Sequence, residues 1–364
     1  MRFQCEGVWA FVLASIVGCG MSEATHTSAA AAETARATVG SLSAASIADT
    51  TPAPKEHPDQ TAARSAKGVV PIETTVRADM QHVNMHMEPG IVLAISRLHG
   101  TLLSARKGQP PALNDKRSMI INIESGDIAI DTNSLAMLLN RHVFGYAGSP
   151  LRKLHVSMDG NEMVQTGVMR KGVWMSFRIR ATVALTPDGE IRVHPTAISV
   201  AGVGVKGLSR WLGGLSKLIK LEPGHGARID GEDFVLNPTE MLPPPAIRGT
   251  VTSIKLEPGG MRQMFGSAEA ARVPLVHRPG SSAKNFMYFH GGTLRFGKLT
   301  MSGTDLEIVD ADPSNAFDYA LDRYQEHLVQ GHSNTTPVDG LIVVMPDVRT
   351  LKAPTAAVRQ PRQE

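Results

Sequence analysis

Two-residue alternation dominates the chain after Val69. Val173, Met175, Phe177, Ile179, Ala181, Val183 and Leu185 fall on one face of a single stretch, opposite Ser176, Arg178, Arg180 and Thr182. A period of two sends these sets to opposite sides of a β-strand. Pro187-Asp188-Gly189 then supplies turn residues and Ile191 and Val193 resume the alternation, which predicts a hairpin. Leu154, Val156 and Met158 ahead of Asp159-Gly160 predict a strand and turn before it. Further strands are expected over 80–95, interrupted by Glu88-Pro89-Gly90, and over 118–130, 251–256 and 293–309. Short connections imply antiparallel neighbours.

Three segments have helical spacing instead. Asp131-Thr132-Asn133-Ser134 offers N-cap side chains, followed by Leu135, Leu138, Leu139 and His142 or Val143 on one stripe. Residues 206–221 place Leu208, Trp211, Leu212, Leu215, Leu218 and Ile219 on one broad face, with Lys206, Arg210, Lys217 and Lys220 towards the other. Gly213-Gly214 weakens that helix by roughly 1 kcal/mol per glycine. A third helix is expected over 316–329, with Phe317, Leu321, Tyr324 and Leu328 in line. The predicted fold is α+β: an extended, curved antiparallel β-sheet packed on one or two amphipathic helices. Pro243-Pro244-Pro245 reads as a rigid turn or a subdomain joint, and the pattern loosens after about Arg272. The expected units are a β-rich domain over 68–270, a smaller C-terminal α+β region over 271–352 and a frayed tail over 353–364.

The first residues carry a different signal. Arg2 precedes an apolar run over 8–17, too short to span a bilayer and suited to the core of a signal peptide. Ile16-Val17-Gly18-Cys19 resembles a bacterial lipobox, in which the Cys19 sulfur would receive diacylglycerol. The alternative is an ordinary secretory signal cleaved near Ala29 to Ala32, a reading favoured by Glu6 and Val17. Residues 20–67 are rich in Ala, Ser, Thr and Pro and form the expected tether. The expected location is the bacterial envelope, anchored to a membrane through Cys19 on the periplasmic or outer side, or else secretion.

Composition narrows the chemistry. Hydrophobic residues make up 42% and charged ones 20%, enough for a sizeable core. Aromatics are 5% while methionines number 17, a balance suited to an adaptable apolar interior. A net charge of +3 argues for neither nucleic acid nor a strongly acidic partner. The two cysteines, Cys5 and Cys19, both lie in the targeting segment, so the rest has no disulfide and no Cys-ligated metal.

The strand Asp127-Ile128-Ala129-Ile130-Asp131 runs into Ser134-Leu135-Ala136-Met137-Leu138-Leu139. It is followed by Pro150-Leu151, Asp188-Gly189-Glu190-Ile191-Arg192-Val193-His194-Pro195, Gly231-Glu232-Asp233-Phe234-Val235-Leu236 and Gly249-Thr250-Val251-Thr252. In this order and pattern, 121–265 resembles the LmeA-like phospholipid-binding family, of tubular lipid-binding (TULIP-like) architecture. The resemblance implies a curved sheet wrapped on a helix, an apolar groove for phospholipid acyl chains, and no catalytic residues.

Candidate acyl contacts are Leu135, Leu139, Met175, Phe177, Leu212 and Leu215, each equally what an ordinary core would use. Lys206, Arg210, Trp211, Lys217 and Lys220 are candidates for contact with an anionic membrane surface, the alternative being a helix packed on the sheet with solvated lysines. No cofactor or metal is expected: His82 and His86 share a strand face but stand about 13 Å apart. Two rival functions remain open. One is a closed-core lipoprotein that recognises another envelope component. The other is a hydrolase using His290 with Asp305, Asp310 and Asp312, though no Gly-x-Ser-x-Gly elbow accompanies them. Asp310 to Pro313 otherwise reads as a turn into the 316–329 helix, and the Gly-rich 201–207 as a bend.

Overall fold

β-strands account for more than half of the described residues in the computed structural model, which describes residues 75–201, 203–204, 221, 224–337 and 339–352. The chain divides into two units, Met1–Ala66 and Lys67–Glu364, and every described residue belongs to the second. The expected signal segment, tether, Cys19, most of the 206–221 helix and the 353–364 tail lie outside the described residues.

The expected single sheet is two sheets among the described residues. The first opens with β1 (Val76–Glu88), β2 (Ile91–Ser104) and β3 (Met119–Asp131), an antiparallel meander. Gly90, at φ 82, closes the β1–β2 turn in a conformation that a Cβ resists. The alternation in β1 is not continuous. Val76, Ala78 and Met80 face the core, His82 takes φ 51, and the buried series restarts at Val83, Met85 and Met87. The buried series changes parity at His82, while the pairing with β2 keeps its register from Gln81–Arg97 to Val83–Ile95.

Helix α1 (Thr132–Leu138) follows directly and runs into a π-helical turn, Leu139–Val143. The second sheet then begins with β4 (Leu151–Asp159), β5 (Glu162–Lys171), β6 (Val173–Leu185) and β7 (Ile191–Val200). The strict alternation read in β6 is realised: Phe177, Ile179 and Ala181 are buried, while Ser176, Arg178 and Thr182 are exposed. Within the Gly-rich segment, β8 (Val203–Gly204) pairs antiparallel with β7. The sheet ends with β9 (Ala227–Asp230) and β10 (Asp233–Leu236), in the order β4-β5-β6-β7-β10-β9.

After the three prolines, β11 (Ala246–Arg248) returns to the first sheet, parallel to β3. β12 (Val251–Glu257) and β13 (Gly260–Phe265) complete that edge, and a short helix, α2 (Ala268–Arg272), follows. The chain does not start a separate sheet beyond residue 270. β14 (Phe286–Phe296) pairs directly with β1, and β15 (Leu299–Asp310) pairs with β14. The stretch 293–309, read as strand, is thus two strands turning at Gly297 (φ 61).

The 316–329 helix is corrected. Phe317–Ala320 is a strand, β16, parallel to β1; only Tyr324–Gln330 is α-helical (α3), with a 3-10 turn between. The side-chain amide of Asn84 on β1 donates to Asp318 at 2.9 Å, and the Asp318 N–H donates to the Asp347 carboxylate at 2.8 Å. Those long-range partners outweigh the local helical stripe. Asp310 to Pro313 is a turn, but it leads into this strand. β17 (His332–Thr335) and β18 (Leu341–Met345) close the sheet, with β18 parallel to β15.

Candidate functional site

Asp131 starts the segment that organises the apolar side of the second sheet. Its carboxylate caps α1 by accepting from the Ser134 N–H at 2.6 Å. The Ser134 hydroxyl accepts in turn from the Val92 N–H at 3.0 Å, which ties the helix to β2. Asn140 secures the other end. Its amide donates to the Ala136 and Leu154 carbonyls at 2.8 and 2.7 Å, and its carbonyl accepts from the Leu154 N–H at 2.9 Å. A single side chain therefore holds the π-turn against β4.

Leu135 and Leu138 of the helix and Leu139 of the π-turn share cavity linings with residues of β4 to β7 and β10. Two cavities lie along this seam and share Leu139, Met163, Val193 and Leu236. One extends towards Phe144, Leu151 and Met169, the other towards Ile130, Met241 and Met261. Among the described residues, Gln165 and Gln263 are the only polar side chains lining them, one in each. The free space is about 30 Å³ in each, room for a water or two and no more.

Of the residues expected to meet acyl chains, Leu135 and Leu139 line this seam. Phe177 is buried on the inner face of β6 and Met175 is half-buried there, and neither lines the cavities. Leu212 and Leu215 lie outside the described residues, as do Lys206, Arg210, Trp211, Lys217 and Lys220. The lining contributed by Met163, Val193 and Leu236 was not singled out in the sequence. These three lie on β5, β7 and β10, and only the α1 position marks which rows face the helix.

A polar band crosses the opposite, outer face of the first sheet. Asp79, fully buried, accepts at Oδ1 from His99 Nδ1 at 2.8 Å and from the Val276 N–H at 3.1 Å. Its Oδ2 stands 3.5 Å from His290 Nε2, and His99 Nε2 stands 3.6 Å from Glu124. The next row pairs His290 with Asp305 in register, and Arg278 contacts Asp305 at 3.3 Å. Burial and the Asp305 carboxylate push the Tyr288 hydroxyl up to about 12. Burial also raises the Glu307 carboxyl, which accepts from the Ser281 hydroxyl at 2.5 Å.

This band fastens the segment 271–284 across the sheet. Arg97 donates to the Ala271 and Val273 carbonyls, and Gln81 donates to Lys284 O at 3.0 Å. The hydrolase reading finds His290 beside a carboxylate, Asp79, that it had not named. Asp310 instead binds Asn285 and the Asp312 N–H, and Asp312 binds Ser314. Ser125, the cross-strand neighbour of His99, is fully buried and its hydroxyl makes no hydrogen bond. The geometry of the band is that of a clasp.

The remaining histidines are dispersed. His142 meets Glu88 at 3.1 Å and His194 meets Asp233 at 2.6 Å, while His86 lies 3.5 Å from Asp318. No group of three or more His, Cys, Asp or Glu among the described residues could hold a metal. No described helix is long and apolar enough to cross a membrane. No family model, curated protein or solved structure matches the chain.

Proposed function

We propose that the chain is a non-enzymatic envelope lipoprotein that binds or transfers lipid through the seam between α1 and the second sheet. The observation that carries this reading is the pair of adjoining apolar cavities with Leu139, Met163, Val193 and Leu236 common to both. Met163, Met169, Met241 and Met261 are unbranched, so they can move aside for an acyl chain where branched side chains would resist. Each methylene taken from water contributes on the order of 0.8 kcal/mol. The resemblance of 121–265 to the LmeA-like family agrees with this reading, and so does the expected anchor at Cys19.

Native mass spectrometry with lipid extraction, on the unit from Lys67 purified without detergent, tests it. A stoichiometric phospholipid is expected. A clean apo mass that persists after incubation with phospholipid vesicles would overturn the reading. That outcome would favour a closed-core lipoprotein recognising another envelope component, a reading supported by the narrowness of the cavities at rest.

A further inference from the structure

Charge is unevenly distributed along the second sheet. The portions at 151–158, 165–179 and 195–204 contain no Asp or Glu. Arg152, Lys153, Arg170 and Arg178 are exposed there, and none joins an ion pair among the described residues. The ion pairs of this sheet lie in its other half: Arg180 with Asp159 and Glu162, Arg192 and His194 with Asp233, and Arg228 with Glu190. From Val173 to Arg180 along β6 is about 23 Å by the strand rise. One end of the sheet is thus a set of unneutralised cations.

The same end exposes apolar surface. Val173 is 66% exposed and Trp174 42%, and among the described residues they are the only consecutive pair of exposed large hydrophobic side chains. They follow Gly172 at the tip of the β5–β6 hairpin. The Arg152 guanidinium lies over the Trp174 ring, 4.8 Å from its centroid. Behind the tip, Met175 pairs with Met169 and Met169 with Leu151; the last two are buried and line the seam.

We propose that the β5–β6 hairpin tip docks on an anionic bilayer. Val173 and Trp174 sit at the boundary of headgroups and acyl chains, and Arg152, Lys153, Arg170 and Arg178 lie over lipid phosphates. A projecting turn with an aliphatic residue and a tryptophan, ringed by cations and free of carboxylates, matches a plane that is negative outside and apolar beneath. Docking goes beyond acyl-chain binding in the seam and stands without it.

The test uses the full chain with Cys19→Ser, Trp9→Phe and Trp211→Phe, which leaves Trp174 as the single tryptophan. Its fluorescence is read with vesicles of brominated phosphatidylcholine, alone and mixed with phosphatidylglycerol. Quenching and a blue shift are expected only with phosphatidylglycerol present. Arg152→Gln with Arg170→Gln should raise the lipid concentration needed by roughly thirty-fold, and Lys153→Gln with Arg178→Gln by a similar factor. Trp174 left unquenched, whether or not the chain floats with the vesicles, would overturn the proposal and point to an acidic protein partner. Equal quenching on phosphatidylcholine alone, or indifference to both charge variants, would overturn its anionic character. A seam found free of lipid by mass spectrometry would leave the Trp174 result unchanged, so the two proposals fail separately.

Discussion

His327 Nε2 accepts a hydrogen bond from the Ala320 N–H at 3.0 Å, joining α3 to the end of the strand that precedes it. The other ring nitrogen, Nδ1, donates to the Pro346 carbonyl at 2.8 Å. These partners require the neutral tautomer with its proton on Nδ1, because a protonated Nε2 cannot accept. Burial is the main cause that holds the His327 pKa below its ordinary value, against the smaller opposing effect of the Pro346 carbonyl. In the unfolded chain the imidazole takes up a proton below about pH 6.5; the folded one resists. His327 therefore contributes stability that is lost as pH falls from there through its depressed folded value. His327→Gln should cost about 1–3 kcal/mol near neutrality, through the lost Pro346 bond and altered packing. It should also flatten the acid side of the stability curve, measured by urea unfolding across pH. An acid slope unchanged by the substitution would show that His327 does not set it.

Glu307 has the opposite sign. Its carboxyl is almost wholly enclosed, and burial raises its pKa despite the Ser281 hydroxyl and the nearby Arg278. The folded state favours the protonated acid, so stability falls as pH rises from the unfolded value, near 4.5, through the folded one. Glu307→Gln keeps an acceptor for Ser281 and removes the buried charge. The variant should be more stable than the parent near neutrality, with the advantage shrinking towards about pH 4.5. A variant less stable than the parent near neutrality would mean that attraction to Arg278 outweighs the desolvation.

Legibility differed sharply between β6 and β16. Residues 173–185 keep an unbroken period of two between Gly172 and Pro187-Asp188-Gly189, so local pattern and turn chemistry agree. Phe317, Leu321, Tyr324 and Leu328 also fit a helix, and the choice is made by Asn84, 234 residues earlier in the chain. Asp79 was invisible for the same reason. It is one acid among Val76, Ala78, Met80 and Val83, and its partners at His99, Val276 and His290 become neighbours only when β1, β2 and β14 pair. The seam was half legible. Leu135 and Leu139 follow from helical spacing after the Asp131 cap, whereas which β5, β7 and β10 rows face them depends on the Asn140–Leu154 junction.

Asp79 sets the hold on the segment above it. Its Oδ1 satisfies both His99 and the Val276 N–H, and Arg97 and Gln81 add contacts on either side. Asp79→Ala would leave a buried donor on His99 and a half-buried one at Val276 without an acceptor, at a cost of about 1–3 kcal/mol. Asp79→Asn can keep the Oδ1 acceptor and should cost less. Hydrogen exchange separates a local role from a global one. In both variants the Val276 amide should exchange faster, with the larger effect in the alanine form. Protection at Val276 unaltered in Asp79→Ala would mean that the segment is held by its other contacts alone.

Met163 is the most informative position in the seam, because it lines both cavities and is itself only half-buried. Shortening it enlarges a space that now admits a water or two. Met163→Ala should cost about 2 kcal/mol of stability, at the low end for a buried methionine because part of the side chain already meets solvent. If lipid occupies the seam, the enlarged space should accept an acyl chain with less displacement of its neighbours, so co-purified phospholipid should rise. Met163→Trp should fill the junction and lower it, with a stability cost of about 1–3 kcal/mol from overpacking. The two substitutions destabilise in the same direction yet are expected to move lipid content in opposite directions, so a general loosening of the fold cannot produce both results. Lipid content that falls in both variants would assign the bound lipid to another surface of the molecule.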